Sequence, residues 1–139
     1  MGSKLIRCSL SIDQGLFDQL ERLASNSGYE NRSEFIRDLI RDKLVEEEWE
    51  ENMEALGTIT MVYDHDRRNL GRNLTKIQHA HHNLFLATTH VHLTEHLCAE
   101  MIMLRGSAHE IRHMANEMGK QKGVLHTALS MSSTGQKLD

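Results

Sequence analysis

Residues 90–98 read HVHLTEHLC, which puts three histidines and one of the chain's only two cysteines within nine positions. Imidazole and thiolate side chains are the donors that borderline transition metals take from proteins. In an extended strand, residues two apart share a face, so His90 and His92 project together while Val91 points away. The LTEH segment can turn the chain and bring Cys98 back on a neighbouring strand beside them. His96, in or just after that turn, is expected to face solvent. Three donors leave a coordination position to account for. If water filled it, the site would suit a zinc enzyme, but the chain lacks the paired cysteines of the zinc deaminase pattern. A protein ligand is also at hand in QHAHH, from His79, His81 or His82, of which His79 and His82 can share a helix face. Three imidazoles and one thiolate make a closed sensing or structural site, and a planar arrangement of that set favours Ni(II) or Cu(II).

The elements that position these residues can be read from periodicity. GTITMVYDHD from Gly57 has the pattern of a strand, and RRNLGRNLTKIQHAHH that of a helix with Leu70, Leu74 and Ile77 on one side. NLFLATTHVHL and HLCAEMIMLRG are expected as two strands, SAHEIRHMANEMGKQ as a second helix and GVLHTALSMS as a closing strand. The order βαββαβ is the ferredoxin-like arrangement, an antiparallel sheet with helices on one face and an α+β fold.

The charge divides the chain further. Residues 1–45 hold seven basic and seven acidic side chains, residues 46–54 six glutamates and no basic residue, and residues 55–139 nine basic and seven acidic. The net charge of −4 therefore comes from one short run, expected as a solvated helix face or linker. Overall acidity cannot exclude nucleic acid as a partner. All ten histidines follow residue 64, so a histidine-free unit precedes a histidine-rich one. Cysteines at positions 8 and 98 suit a reducing compartment better than a disulfide scaffold. No apolar run is long enough to cross a bilayer and MGSKLIRC lacks the apolar centre of a signal peptide, so a cytoplasmic protein with no membrane partner is expected.

In the first unit LIRCSLSI alternates, with Ile6, Cys8, Leu10 and Ile12 on one face and Arg7, Ser9 and Ser11 on the other. Asp13 is a plausible cap for a helix carrying Leu16, Phe17, Leu20, Leu23 and Ala24, which ends near Gly28. A second helix starts at Asn31 or Ser33 and buries Phe35, Ile36, Leu39, Ile40 and Leu44. One strand and two helices leave an unpaired edge and a thin core, so a second copy must complete both. Two copies pairing their strands antiparallel would present Arg7, Ser9 and Ser11 on a ribbon that fits the major groove of DNA. The same alternation also describes an ordinary wet strand edge.

RCSLSID, GYENRSEFIRDLIR, VYDHDRRNL, IQHAHH and TTHVHLTEHLCAEMIMLRG follow one another in a way that resembles the nickel-responsive regulator family NikR, from about Leu5 to Ser132. The resemblance implies a ribbon-helix-helix DNA-binding domain over 1–46, an acidic linker or helix extension over 47–56, an ACT-like metal-binding and tetramerisation domain over 57–133, and a loose tail over 134–139. It implies one Ni(II) per subunit, held by His90, His92 and Cys98 with His79 of a neighbouring subunit. Arg7, Ser9 and Ser11 would read bases, with serine where members often carry threonine, and Arg37, Arg67 and Arg68 would contact phosphates. Glu34 and Asp38, with the backbone of Gln121, would hold potassium or another cation between the domains, and Glu100 would support the nickel ligands. The implied molecule is a cytoplasmic homotetramer, a dimer of dimers, that binds palindromic half-sites as a repressor when nickel is bound. A same-family sensor of cobalt, zinc or copper, or a zinc enzyme, is the alternative.

Overall fold

The structure is a computed structural model and describes residues 2–139. It divides into two compact units, one running through Leu44 and including Lys137–Asp139, the other spanning Val45–Gln136.

The first unit is built on two helices, α1 (Gln14–Asn26) and α2 (Arg32–Glu50), the second of which runs past the unit boundary. α1 opens from Asp13, whose side chain makes no capping bond, and it ends where the Ser27 and Tyr29 N–H groups donate back to Leu23 and Ala24. Gly28 takes a positive φ of 78° there, which costs glycine little. α2 is capped by Asn31, whose Oδ1 accepts the Glu34 N–H at 3.0 Å. Tyr29 and Phe35 meet edge to face at 5.2 Å, and Arg32 lies over the Phe17 ring while pairing with Glu21. The Arg41 Nε donates to the Leu138 carbonyl at 3.3 Å, so the tail expected to be loose is tied at this point.

The strand expected over residues 5–12 does not form in the single chain. Ile6 is 78% exposed and Leu10 65%, where alternation assigned them to a buried face. The reason is physical. A strand needs a ladder partner, and one such segment has none to pair with. Among the described residues of this unit only Ala24 and Phe35 are buried hydrophobics, while Leu10, Ile12, Leu16, Leu23 and Leu39 line an open apolar groove.

The second unit is βαββαβ: β1 (Glu54–Asp64), α3 (Leu70–Ala80), β2 (Phe85–His92), β3 (Leu97–Ser107), α4 (Ala108–Gly119) and β4 (Val124–Ser132). The sheet order is β2-β3-β1-β4, antiparallel throughout. β1 begins three residues before Gly57 and alternates strictly, with Ala55, Gly57, Ile59, Met61 and Tyr63 on the buried face. Opposite them β3 contributes Cys98, Ile102 and Leu104, and the helices close the core with Leu70 and Leu74 from α3 and Ile111, Met114 and Met118 from α4. α4 starts in a capping box, where Ser107 and Glu110 satisfy each other's backbone N–H groups. The acidic run is solvated as expected at Glu46, Glu47, Glu50, Glu51 and Glu54, and departs from that form at Glu48 and Trp49. Trp49 is buried with its indole N–H donating to the Ser132 carbonyl at 2.8 Å, and Glu48 beside it is also buried.

Gly57 shows how tightly this layer is packed. A Cβ there would lie 2.7 Å from Ile111 Cγ2 and 3.3 Å from both Leu129 Cδ1 and Trp49 Cη2. Gly57→Ala is expected to destabilise the second unit by about 1–3 kcal/mol, the range for overpacking a core, as measured by denaturant unfolding.

Candidate metal centre

The site is built by the hairpin of β2 and β3. Its turn is closed by the Leu93 N–H donating to the Leu97 carbonyl at 2.8 Å, with the Thr94 hydroxyl accepting from the His96 and Leu97 N–H groups. This turn sets a register in which His92 faces Cys98 and His90 faces Glu100. All four side chains therefore share the face of Ile102 and Leu104, the side covered by helices.

Cys98 forms the floor and is fully buried, while the imidazoles stand at an exposed rim. His92 Nδ1 lies 3.2 Å from Cys98 Sγ, and the His90 and His92 ring centroids are 5.1 Å apart. A fourth donor joins them from the loop after β1: His65, whose Nδ1 is 3.4 Å from Cys98 Sγ. The loop is held there because the His65 N–H donates to the His96 carbonyl at 2.7 Å. The four donor atoms all lie within 4.8 Å of one another. One ion with bonds of about 2.0–2.3 Å spans roughly 4–4.6 Å between opposite ligands, so small side-chain adjustments suffice to fit it. Three imidazoles and a thiolate select nickel, copper or zinc over calcium or magnesium.

The surroundings are those of a ligand-supporting shell. The Tyr63 hydroxyl meets His90 Nδ1 at 3.2 Å, and Glu100 lies across the strand pair from His90. Burial raises the Glu100 carboxyl above its ordinary range, with the His90 ring beside it pulling the other way. Tyr63, His65, His90 and Glu100, together with Leu74, Thr75 and Gln78 of α3, line a cavity of about 350 Å³.

The other residues singled out from sequence fall in several places. His79 is exposed near the end of α3 and is not one of the four clustered donors. His81 points back to the Ile77 carbonyl, and His96 contacts Asp66 instead of entering the cluster. Arg7, Ser9 and Ser11 are exposed, as are Arg67 and Arg68 in the loop between β1 and α3. Arg37 lies 4.0 Å from Glu34, and Asp38 accepts from the Tyr29 hydroxyl and from Arg41, which hold its carboxyl below the usual range. Glu34 and Asp38 belong to the first unit and Gln121 to the second.

Two features escaped the reading from spacing. His65 lies twenty-five residues before His90, yet it continues the β1 alternation 59, 61, 63, 65 that marks the buried face, and that parity was its signal. The segment HEIRH at 109–113 spells the zincin motif HExxH. Its glutamate is committed elsewhere, because Glu110 accepts from the Ser107 hydroxyl and N–H as half of the α4 capping box.

Tyr63 supplies a test of how the site is packed. Burial first, then the charges of Glu100 and Cys98, push its phenol up from 10.0 to about 12. Between these values the unfolded chain has lost a proton that the folded chain keeps, so stability falls as pH rises from about 10 towards 12. Denaturant unfolding at several pH values across that window should show the decline, and Tyr63→Phe should flatten this part of the curve.

Two family descriptions match the chain: "NikR C terminal nickel binding domain" over residues 56–132 and "Ribbon-helix-helix protein, copG family" over residues 3–47. A nickel-responsive regulator of Geobacter sulfurreducens is 47% identical over 134 residues, covering 96% of each chain. Another from Nitratidesulfovibrio vulgaris is 42% identical over 136 residues, covering 97% of this chain and 98% of its own. Among solved structures, an uncharacterized protein from Thermotoga maritima shares the fold at a TM-score of 0.51 and 16% identity, over 56% of this chain and 96% of that one. With matches at both ends and close relatives along nearly its whole length, the chain belongs to the nickel-responsive regulator family.

Proposed function

We propose that this chain is a cytoplasmic, nickel-dependent DNA-binding repressor that works as a homotetramer, a dimer of dimers. The observation that carries the reading is the convergence of His90, His92 and Cys98 on the helix-facing side of one hairpin, in a chain whose first unit cannot complete its own core. One Ni(II) per subunit would be held by those three residues. His79 of a neighbouring copy would supply the fourth ligand, its exposed position on α3 leaving it free to reach outward. The thiolate and neutral imidazoles would bind and orient the ion, with Glu100 and Tyr63 holding the His90 ring.

His65 favours a second arrangement, because in the single chain it already stands 3.4 Å from Cys98 Sγ. In the shared site it would give way to His79 on assembly. In a site contained within one subunit it would stay and favour a tetrahedral ion such as zinc.

The apolar groove of the first unit and the exposed Ile6, Leu10 and Ile12 support pairing with a second copy. The paired segments would carry Arg7, Ser9 and Ser11 to base edges at palindromic half-sites, and Arg37, Arg67 and Arg68 would contact phosphates. Glu34, Asp38 and Gln121 would hold potassium or another cation in the DNA-bound form. Metal at an interface between subunits would select one arrangement of the DNA-binding units, and the coupling would be reciprocal.

The test is a DNA selection and footprinting experiment with nickel and with chelator. Nickel is expected to raise operator affinity by about 5- to 150-fold, the usual range for coupled sites, and Cys98→Ala to abolish the response while the dimeric first unit stays folded. Equal protection with nickel and with chelator would overturn the reading.

A further inference from the structure

We propose that Asp66 and His96 form a latch that sets the metal preference of the hairpin centre, by holding His65 ready as the fourth ligand of a tetrahedral ion. The inference rests on the proposed centre and deepens it, because His65, already beside Cys98 in one chain, would compete with His79 of a neighbouring copy for one coordination position. Neither Asp66 nor His96 belongs to the donor cluster.

His65 lies one residue beyond the last paired position of β1, Asp64, so sheet pairing does not fix it. A contact between two connections does. The His65 N–H donates to the His96 carbonyl at 2.7 Å, and one residue on, the Asp66 carboxylate meets the His96 ring at Nδ1. An ionised carboxylate only accepts, so the ring donates from Nδ1. The other ring nitrogen, Nε2, lies 3.9 Å from Glu95 Oε2. Both nitrogens of His96 are therefore turned to carboxylates and away from the donors. Each side of the latch is anchored in turn. Behind it the Asp64 N–H donates to the Gly123 carbonyl and Asp64 Oδ1 accepts the Asp66 N–H, both at 2.9 Å. In front of it the Thr94 hydroxyl accepts from the His96 and Leu97 N–H groups at 3.2 and 3.0 Å. The result is a His65 ring held with Nδ1 3.4 Å from Cys98 Sγ and its centroid 5.3 Å from that of His92.

A ligand fixed before binding loses little freedom when the ion arrives. Zinc takes imidazoles and thiolate in a tetrahedral set, so a poised His65 favours zinc within one chain. A planar site completed by His79 of another copy needs His65 to withdraw, and the latch works against it. Opening the latch therefore weakens zinc binding and leaves nickel binding equal or stronger. The pair is exposed, at 67% for His96 and 58% for Asp66. Exposed pairs contribute modestly, so the change in zinc affinity is about 1.5- to 5-fold.

Competition titrations of the full-length chain with zinc and with nickel against a chromophoric chelator test the assignment. Asp66→Ala and His96→Ala are each expected to lower zinc affinity by that factor, and the double variant to fall no further than either single one, since both remove the same contact. Nickel affinity and the thiolate-to-nickel absorption band should hold or rise in all three. Unchanged zinc affinity would overturn the latch. So would equal losses for zinc and nickel, which mark a general loosening of the hairpin, or losses that add in the double variant. A parent chain that binds zinc but shows no thiolate-to-nickel band would overturn the shared nickel site, and the zinc titrations would still decide the latch.

Discussion

The pairing register of β2 and β3 is the constraint on which the site depends. His92 opposite Cys98 and His90 opposite Glu100 place two imidazoles, a thiol and a carboxylate on one face of the sheet. A slip of one residue would send all of β2's ligands to the opposite face, where Val91 and Thr89 now stand. The register is held by the turn hydrogen bonds around Thr94 and by burial of Cys98, Ile102 and Leu104 against the helices. The thiol is thus a core residue and a candidate metal donor at once. Its burial fixes the donor's position, and the exposed histidines around it leave the ion's approach open from the rim.

The two units differ in how far one chain can satisfy them. The second has a continuous core from Trp49 to Met118, with both helices closed over one sheet face. Among its described apolar side chains the first buries only Ala24 and Phe35, and it leaves a row of leucines and isoleucines in the open. Its amino-terminal segment takes no regular form, since a strand needs a ladder partner and the segment pairs with none in the single chain. In the proposed repressor that dependence would make the first unit sensitive to assembly, and so to a metal held between subunits.

Much of this was legible from periodicity. The βαββαβ order, the HVH hairpin, the turned-out His96 and the Asn31 cap all follow from local spacing, and the structure places them within a few residues of the expected bounds. Long-range closure was not legible. His65 reaches the cluster only because β1 is flanked by β3 and the His65 N–H meets the His96 carbonyl, a contact no window of sequence contains. The acidic run is exposed at five of its six glutamates, and only the burial of Glu48 beside Trp49 was not legible. Trp49 anchors the run to the β4 end and carries that one glutamate inside. Geometry in one chain assigns no role to His79, and only the family resemblance implies one.

Whether the metal site is completed between chains, as proposed, is decided by complementation. His79→Ala and His92→Ala chains are each prepared, then unfolded together and refolded as a mixture before nickel is added. A shared site gives little thiolate-to-nickel absorption from either variant alone and clear absorption from the mixture, where His79 of one copy would meet His90, His92 and Cys98 of the other. Full absorption from His79→Ala by itself, or a mixture no stronger than its parts, would contradict it.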